Sequence, residues 1–133
     1  MPSVLIIGAS RGIGLGFAEV YVTLGWKVHA TTRTINNPGK LGIIAGDISL
    51  HELDVINADH INNLASKFEK QSIDLLIHNA GVYGTNMNSE AVININVEAP
   101  FNVINKLIRS VEVSDQKKVA ILTSKMGSRN GGP

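Results

Sequence analysis

The residues with the clearest chemical potential lie near the start of the chain. There the apolar run Val4-Leu5-Ile6-Ile7 gives way to Gly8-Ala9-Ser10-Arg11-Gly12-Ile13-Gly14. Three glycines at G-x-x-x-G-x-G spacing let a backbone turn sharply and let a ligand lie against bare main chain. The spacing differs from the usual dinucleotide fingerprint G-x-G-x-x-G, but the physical requirement is shared. A helix that follows such a turn presents free N–H groups and the positive end of its dipole, which suits a diphosphate. Three glycines alone fit a ligand-free turn equally well. A buried strand before them and an amphipathic helix after them favour binding, with Gly8, Ser10, Arg11, Gly12, Ile13 and Gly14 as the binding segment. Gly16 is expected to let the helix lie close to a sheet.

The choice of dinucleotide rests on what stands about 20 residues further on, where an NAD site places Asp or Glu on the ribose 2′-hydroxyl. No acidic residue occurs between Glu19 and Asp47, and Thr31-Thr32-Arg33 occupies that place. Arg33 can pair with a 2′-phosphate through a charge-assisted fork, and Arg11 could reach the same group. Either arginine alone could be an ordinary surface residue. Both together, with the acid missing, favour NADP(H) over NAD(H).

The elements that must hold these residues follow from periodicity. Val4–Ile7 suits a strand buried on both faces. Ile13, Phe17, Val20, Tyr21 and Leu24 are spaced for one helical face, and Gly25 fits its end. Lys27–Thr32 gives a second strand, residues 34–47 a loop with an irregular turn, and Ile48–Val55 a third strand. Asn57 is a candidate N-cap for a helix that buries Ile61, Leu64, Ala65 and Phe68. Ile73–Ile77 is a fourth strand, Ser89–Val111 a long helix disturbed near Pro100, and Val119–Leu122 a fifth strand. The alternation implies an α/β fold, a Rossmann-type doubly wound parallel sheet of order 3-2-1-4-5 with its ligand at the strands' carboxyl ends. Residues 1–133 are expected to be a single dinucleotide-binding domain, with 126–133 a loose tail.

Composition narrows the class. Hydrophobic residues make up 44% and charged residues 17% of 133, and net charge is +1, so neither disorder nor a nucleic-acid or membrane partner is indicated. There is no cysteine, which removes disulfides, thiolate metal ligands and thiol nucleophiles. No stretch approaches the length of a membrane span, and a cytoplasmic location is the default expectation. His29, His51, His60 and His78 have no H-x-x-x-H spacing, so no metal site is expected. No G-x-S-x-G elbow supports a serine hydrolase.

With these elements in order, the chain resembles the short-chain dehydrogenase/reductase family, and the match runs over nearly its whole length. Gly8-x-x-x-Gly12-x-Gly14 resembles the family's cofactor turn. Leu53-Asp54-Val55 is similar to the segment after strand 3, where the Asp side chain and the next backbone group hold the adenine. His78-Asn79-Ala80-Gly81 resembles the Asn-Asn-Ala-Gly motif beside the cofactor, with His78 in place of the first Asn. Ile95-Asn96-Val97-Glu98-Ala99-Pro100-Phe101 resembles the stretch bearing the Asn of the catalytic tetrad. Thr123-Ser124-Lys125-Met126-Gly127 resembles the segment bearing the catalytic Ser. The last wording is also similar to the C-factor-like and sniffer-like carbonyl reductases. The resemblance implies hydride transfer between NADP(H) and a carbonyl or alcohol, with Asn96 and Ser124 in catalytic positions.

One departure matters. The family's Tyr-x-x-x-Lys motif follows the Ser, but the nine residues after Ser124 contain no Tyr, and neither Tyr21 nor Tyr83 has a Lys four positions on. The sheet is therefore expected to be truncated relative to the full family fold. Loss of a positioned acid–base typically costs roughly 10²–10⁴-fold in rate, so this chain alone is expected to be nearly inactive. The alternative is a non-catalytic dinucleotide-binding or oligomerisation module. A homo-oligomer is expected from the edge at strand 5 and from the face Ile93, Val97, Phe101, Ile104 and Ile108.

Overall fold

The computed structural model describes residues 2–10, 12–79 and 99–122. Five strands, β1 (Ser3–Ile7), β2 (Lys27–Thr32), β3 (Ile48–Glu52), β4 (Leu75–His78) and β5 (Lys118–Ile121), form one sheet in the order β3-β2-β1-β4-β5. Every neighbouring pair is parallel. The order and direction are those expected from the sequence, with β2 at its expected bounds and the other strand ends shifted by at most three residues. The helices are α1 (Gly12–Thr23), α2 (Ala58–Lys67) and α3 (Ala99–Glu112), and a 3₁₀ turn occupies Gly39–Ile43 inside the expected loop. The first part of the long helix expected from Ser89 lies outside the described residues, as does the tail 126–133.

Alternation along β1 divides the core in two, because successive side chains of a strand point to opposite faces. Leu5 and Ile7 enter one cluster with Leu53, Val55, Ile61, Leu64, Phe68, Leu76, Val103 and Leu107, beneath α2 and α3. Val4 and Ile6 enter the other with Ala9, Ala18, Val28, Ala30, Leu41 and Ile77, beneath α1 and the 3₁₀ turn.

Helix α1 is seated only partly as expected: Phe17 and Tyr21 pack against the core, but Ile13, Val20 and, just beyond the helix, Leu24 do not. Ile13, Val20 and Leu24 are 65%, 52% and 63% exposed, while the buried residues are Gly14 and Ala18. The helix is apolar on nearly every side, so periodicity alone does not select the inward face. The small residues do: without bulky side chains the helix backbone settles directly on the sheet. The close approach falls at Gly14, where a Cβ would overlap the carbonyl oxygen of Gly8, and not at Gly16, where a Cβ would have open space. The helix ends as the sequence suggests. Gly25 adopts φ 85°, the Trp26 amide donates to Tyr21 O (3.0 Å) and the Gly25 amide to Val22 O (3.1 Å). This is the Schellman pattern, and the Tyr21 and Trp26 rings pack edge to face at 4.7 Å.

Helix α2 begins at the expected cap, with Asn57 Oδ1 accepting the His60 amide at 3.1 Å. At the strands' amino ends Asp74 gathers three segments. Its carboxylate accepts the amides of Ser3 (2.9 Å), Asp115 and Gln116 (3.2 Å each). Burial alone would raise its pKa, but these N–H groups and the Ser3 hydroxyl hold it below 3.8.

Candidate cofactor site

Because all five strands are parallel, the residues that follow β1, β2, β3 and β4 come out at the same end of the sheet. The β1–α1 corner is the tightest part. Gly8 has φ 82°, a left-handed conformation costly for other residues. Its amide donates to Thr31 Oγ1 (2.9 Å), and the Ala9 amide donates to Thr31 O (2.9 Å). Strand β2 thus consumes the first two amides of the turn, which leaves those entering α1 for an anion. Gly12, at φ 64°, is exposed, and a Cβ on it would meet nothing within 4 Å. Bare backbone at the start of a twelve-residue helix is therefore open to a ligand.

Asn79 closes the corner from β4. Its amide donates to Ile7 O (2.8 Å), and its Nδ2 lies 3.5 Å from Gly8 O, a weak contact. A Cβ on Gly14 would also come within 2.8 Å of that Nδ2. Gly8, Ser10, Gly12, Ile13, Gly14 and Asn79 are thus gathered at the carboxyl ends of β1 and β4, next to the point where strand order reverses. Arg33 directly follows β2 and is exposed. Among the described residues no carboxylate lies within ion-pair distance of it.

Asp54 and Val55 follow β3. Asp54 Oδ1 accepts the Ile56 amide (3.2 Å) and Asp54 O accepts the Asn57 amide (2.9 Å), which makes a tight turn into α2. Among the described residues neither Asp54 Oδ2 nor the Val55 amide makes a hydrogen bond. An acceptor beside a donor matches an adenine edge, which offers the N6 amino group beside the acceptor N1. The Val55 side chain is buried in the core and takes no part. Arg11, Ala80, Gly81, Asn96 and Ser124 lie outside the described residues.

Sequence reading missed Thr31 and His60. Thr31 looks like any β-branched strand residue until its hydroxyl is seen to accept the Gly8 amide. His60 Nδ1 accepts the Asp54 amide at 3.0 Å, and the only sequence signal is its place three residues after the Asn57 cap. His29 and His51, expected to be scattered, form a pair beneath α2. Their Nδ1 and Nε2 atoms are 3.0 Å apart, and both rings pack on Phe68. Burial is the main force lowering each to about 4, helped by the Lys27 charge at His29 and by the neighbouring His29 at His51. His78, at the end of β4, is also pushed down to about 4 by burial. All three rings are neutral at pH 7. Among the described residues no group of three or more His, Asp or Glu could hold a metal ion, and no helix is long and apolar enough to cross a membrane.

A parallel 3-2-1-4-5 sheet with a glycine corner at its switch point defines the class of dinucleotide-binding α/β folds. The family model for short chain dehydrogenase matches residues 2–132, and the chain belongs to the short-chain dehydrogenase/reductase family. It is similar to 3-oxoacyl-acyl-carrier-protein reductase MabA of Mycobacterium tuberculosis, with 29% identity over 136 residues covering 95% of this chain and 52% of the relative. The short-chain dehydrogenase cctT of Talaromyces islandicus is 37% identical over 86 residues, 62% of this chain and 30% of the relative. A carbonyl reductase from Pseudomonas aeruginosa PAO1 superposes with a TM-score of 0.81 at 30% identity, over 96% of this chain and 62% of that one. The same enzyme in complex with NADP superposes at 0.80 with 27% identity, over 96% and 63%. The chain thus spans about half the length or less of these curated relatives.

Proposed function

We propose that this chain binds NADP(H) across the carboxyl ends of β1–β4, and that it is the cofactor-binding portion of an oxidoreductase acting on a carbonyl or alcohol. The observation that carries the proposal is the β1–α1 corner. Gly14 has no room for a side chain against Gly8 and Asn79, while Gly12 faces open space. The corner is therefore shaped to seat a helix N-terminus and leave it uncovered, which fits a diphosphate. When bound, the cofactor supplies the hydride.

The amides of Ser10, Arg11, Gly12, Ile13 and Gly14 hold the diphosphate, with Gly8 setting the turn. Arg33 and Arg11 pair with the 2′-phosphate. Asp54 and the Val55 amide hold the adenine, and Asn79, Ala80 and Gly81 line the cofactor's inner side. Ser124 orients the substrate oxygen, and Asn96 holds a water in the proton path. The carbonyl reductase with bound NADP supports the 2′-phosphate assignment. A polypeptide of these 133 residues binds cofactor with little turnover, because the proton donor Tyr and its Lys are not among them. In this reading the chain acts as one domain in a homo-oligomer.

Fluorescence titration with NADPH and NADH tests the cofactor assignment. Arg33→Asp is expected to weaken NADPH by about 10- to 100-fold, the range of a lost charge-assisted hydrogen bond, and to leave NADH nearly unchanged. Equal NADPH affinity in wild type and variant would defeat the 2′-phosphate assignment. Carbonyl reduction at an ordinary enzymatic rate, by material whose intact mass matches these 133 residues, would defeat the expected inactivity. A monomer in sedimentation at micromolar concentration would defeat self-association.

A further inference from the structure

We infer that His60 is a positioning residue for the adenine end of the site, holding the Asp54–Val55 segment through its Nδ1. The inference rests on the reading of Asp54 and Val55 given above. The segment's other hydrogen bonds are local: Ile56 N–H to Asp54 Oδ1 and Asn57 N–H to Asp54 O. They shape the turn, while the buried Leu53 and Val55 side chains and the Leu53 amide on Thr32 O (2.9 Å) seat it on the core. The bond from the Asp54 amide to His60 Nδ1, at 3.0 Å, ties the turn to α2.

That helix is itself anchored. Ile61 and Leu64 are buried in the core. The Asn57 cap accepts the His60 amide at 3.1 Å, so the first turn of α2 that is capped also delivers the imidazole. The ring's tautomer follows from its partners. Nδ1 accepts an N–H and therefore carries a lone pair, so the ring proton of the neutral form sits on Nε2, 4.0 Å from Glu52 Oε1. Glu52 closes β3 two residues before Asp54, but at 4.0 Å it makes no hydrogen bond to the ring, so the ring links the turn to the helix. The Asp54 oxygen and the Val55 amide without partners among the described residues are the atoms this link holds in place. Their spacing sets whether both edge atoms of a base are met together.

The test compares NADP⁺ with its 1,N6-etheno derivative, whose extra ring blocks N1 and N6, by calorimetric titration of the 133-residue chain. The wild type is expected to prefer NADP⁺ by about tenfold or more. His60→Leu is expected to weaken NADP⁺ by about tenfold, the size of one lost hydrogen bond, and to leave the etheno derivative unchanged, so discrimination collapses. His60→Asn, whose Oδ1 can stand where Nδ1 stood, restores it. His60→Gln, whose amide reaches the Nε2 position instead, does not. The Asn and Gln pair keeps the test decisive if the Leu variant fails to fold. Equal weakening of both ligands would show a general structural role and overturn the inference, as would full discrimination in the Gln variant. A wild type that binds both ligands equally overturns the adenine placement and His60's role with it. A wild type that binds neither overturns the cofactor reading itself.

Discussion

The two faces of the sheet are packed by opposite means. Beneath α2 and α3 the core is built from large side chains, with Leu5, Ile7, Phe68, Leu76 and Leu107 all removed from solvent. Beneath α1 the fully buried helix residues are Gly14 and Ala18, flanked by the partly buried Leu15, Phe17, Tyr21 and Val22, and Ile13, Val20 and Leu24 are turned outward. Large side chains hold helices at the usual separation and bury the most apolar area per residue. Small ones bring the helix backbone itself to the strand. The first arrangement supplies stability, while the second places the amide groups of a helix start beside the turn that precedes it. The difference teaches that α1 is seated by close approach of its own backbone, while α2 and α3 are seated by side-chain burial.

Phe68→Ala should break the first arrangement most severely. Removing a fully buried ring costs about 3–5 kcal/mol, read by urea denaturation, while the molecules that stay folded keep their NADPH affinity. A loss below about 1 kcal/mol would mean that this face is not close-packed as described.

Gly14→Ala should follow, with a cost of about 1–3 kcal/mol from overpacking against backbone and loss of measurable NADPH binding. Gly12→Ala sharpens the point. Its Cβ has space, so stability falls only by the roughly 1–2 kcal/mol of a left-handed residue, yet affinity should fall as well. If Gly14→Ala were as stable as wild type, α1 would not rest against Gly8 and Asn79.

Acid should act chiefly on the face with the large side chains. His29, His51 and His78 are held near 4 against an ordinary 6.5. Above pH 6.5 these rings are neutral in both folded and unfolded chains and contribute no pH dependence. Below it the unfolded chain takes up protons that the folded chain refuses until about pH 4, so stability drops across that window and then levels off in these groups. Asp74 adds a further loss at lower pH, since its contribution is present above 3.8 and disappears as pH falls through its depressed folded value. Thermal melts from pH 8 to 3 should show this profile, and His29→Leu with His51→Leu should flatten the upper part. A melting temperature constant between pH 6.5 and 4.5 would contradict the burial of these rings.

The smallest effects belong to the outer side of α1 and the turn that follows it. Val20→Thr and Leu24→Lys should change stability by no more than about 0.5 kcal/mol. A larger loss would show that another surface covers them in solution.

The sequence made the strands, their order and the glycine corner legible, because buried parallel strands read as apolar runs and glycine marks where backbone must turn. Asn57 was legible as a cap for the same kind of local reason. The seating of α1 was not, since Ile13, Val20 and Leu24 satisfy helical periodicity as well as the buried residues do, and close approach is signalled by small residues that a hydrophobic pattern ignores. The His29–His51 pair and the His60 link were hidden for a different reason. Each depends on the relative placement of elements that are 6 to 22 residues apart, and spacing along the chain carries no such information. Asp54 was singled out through its motif, but that its Oδ2 and the Val55 amide have no partner among the described residues is a fact of hydrogen bonding alone.

The Asp74 carboxylate has a consequence at the opposite end of the molecule. By clasping the entry to β1 and the turn into β5 at the floor of the sheet, it fixes how far β1, β4 and β5 are slid relative to one another without help from the loops above. Those loops are therefore relieved of alignment duty. Segments of other lengths and compositions could be grafted after β4 and these three strands would still assemble in step, so a scaffold anchored from below leaves its working end free to be rewritten.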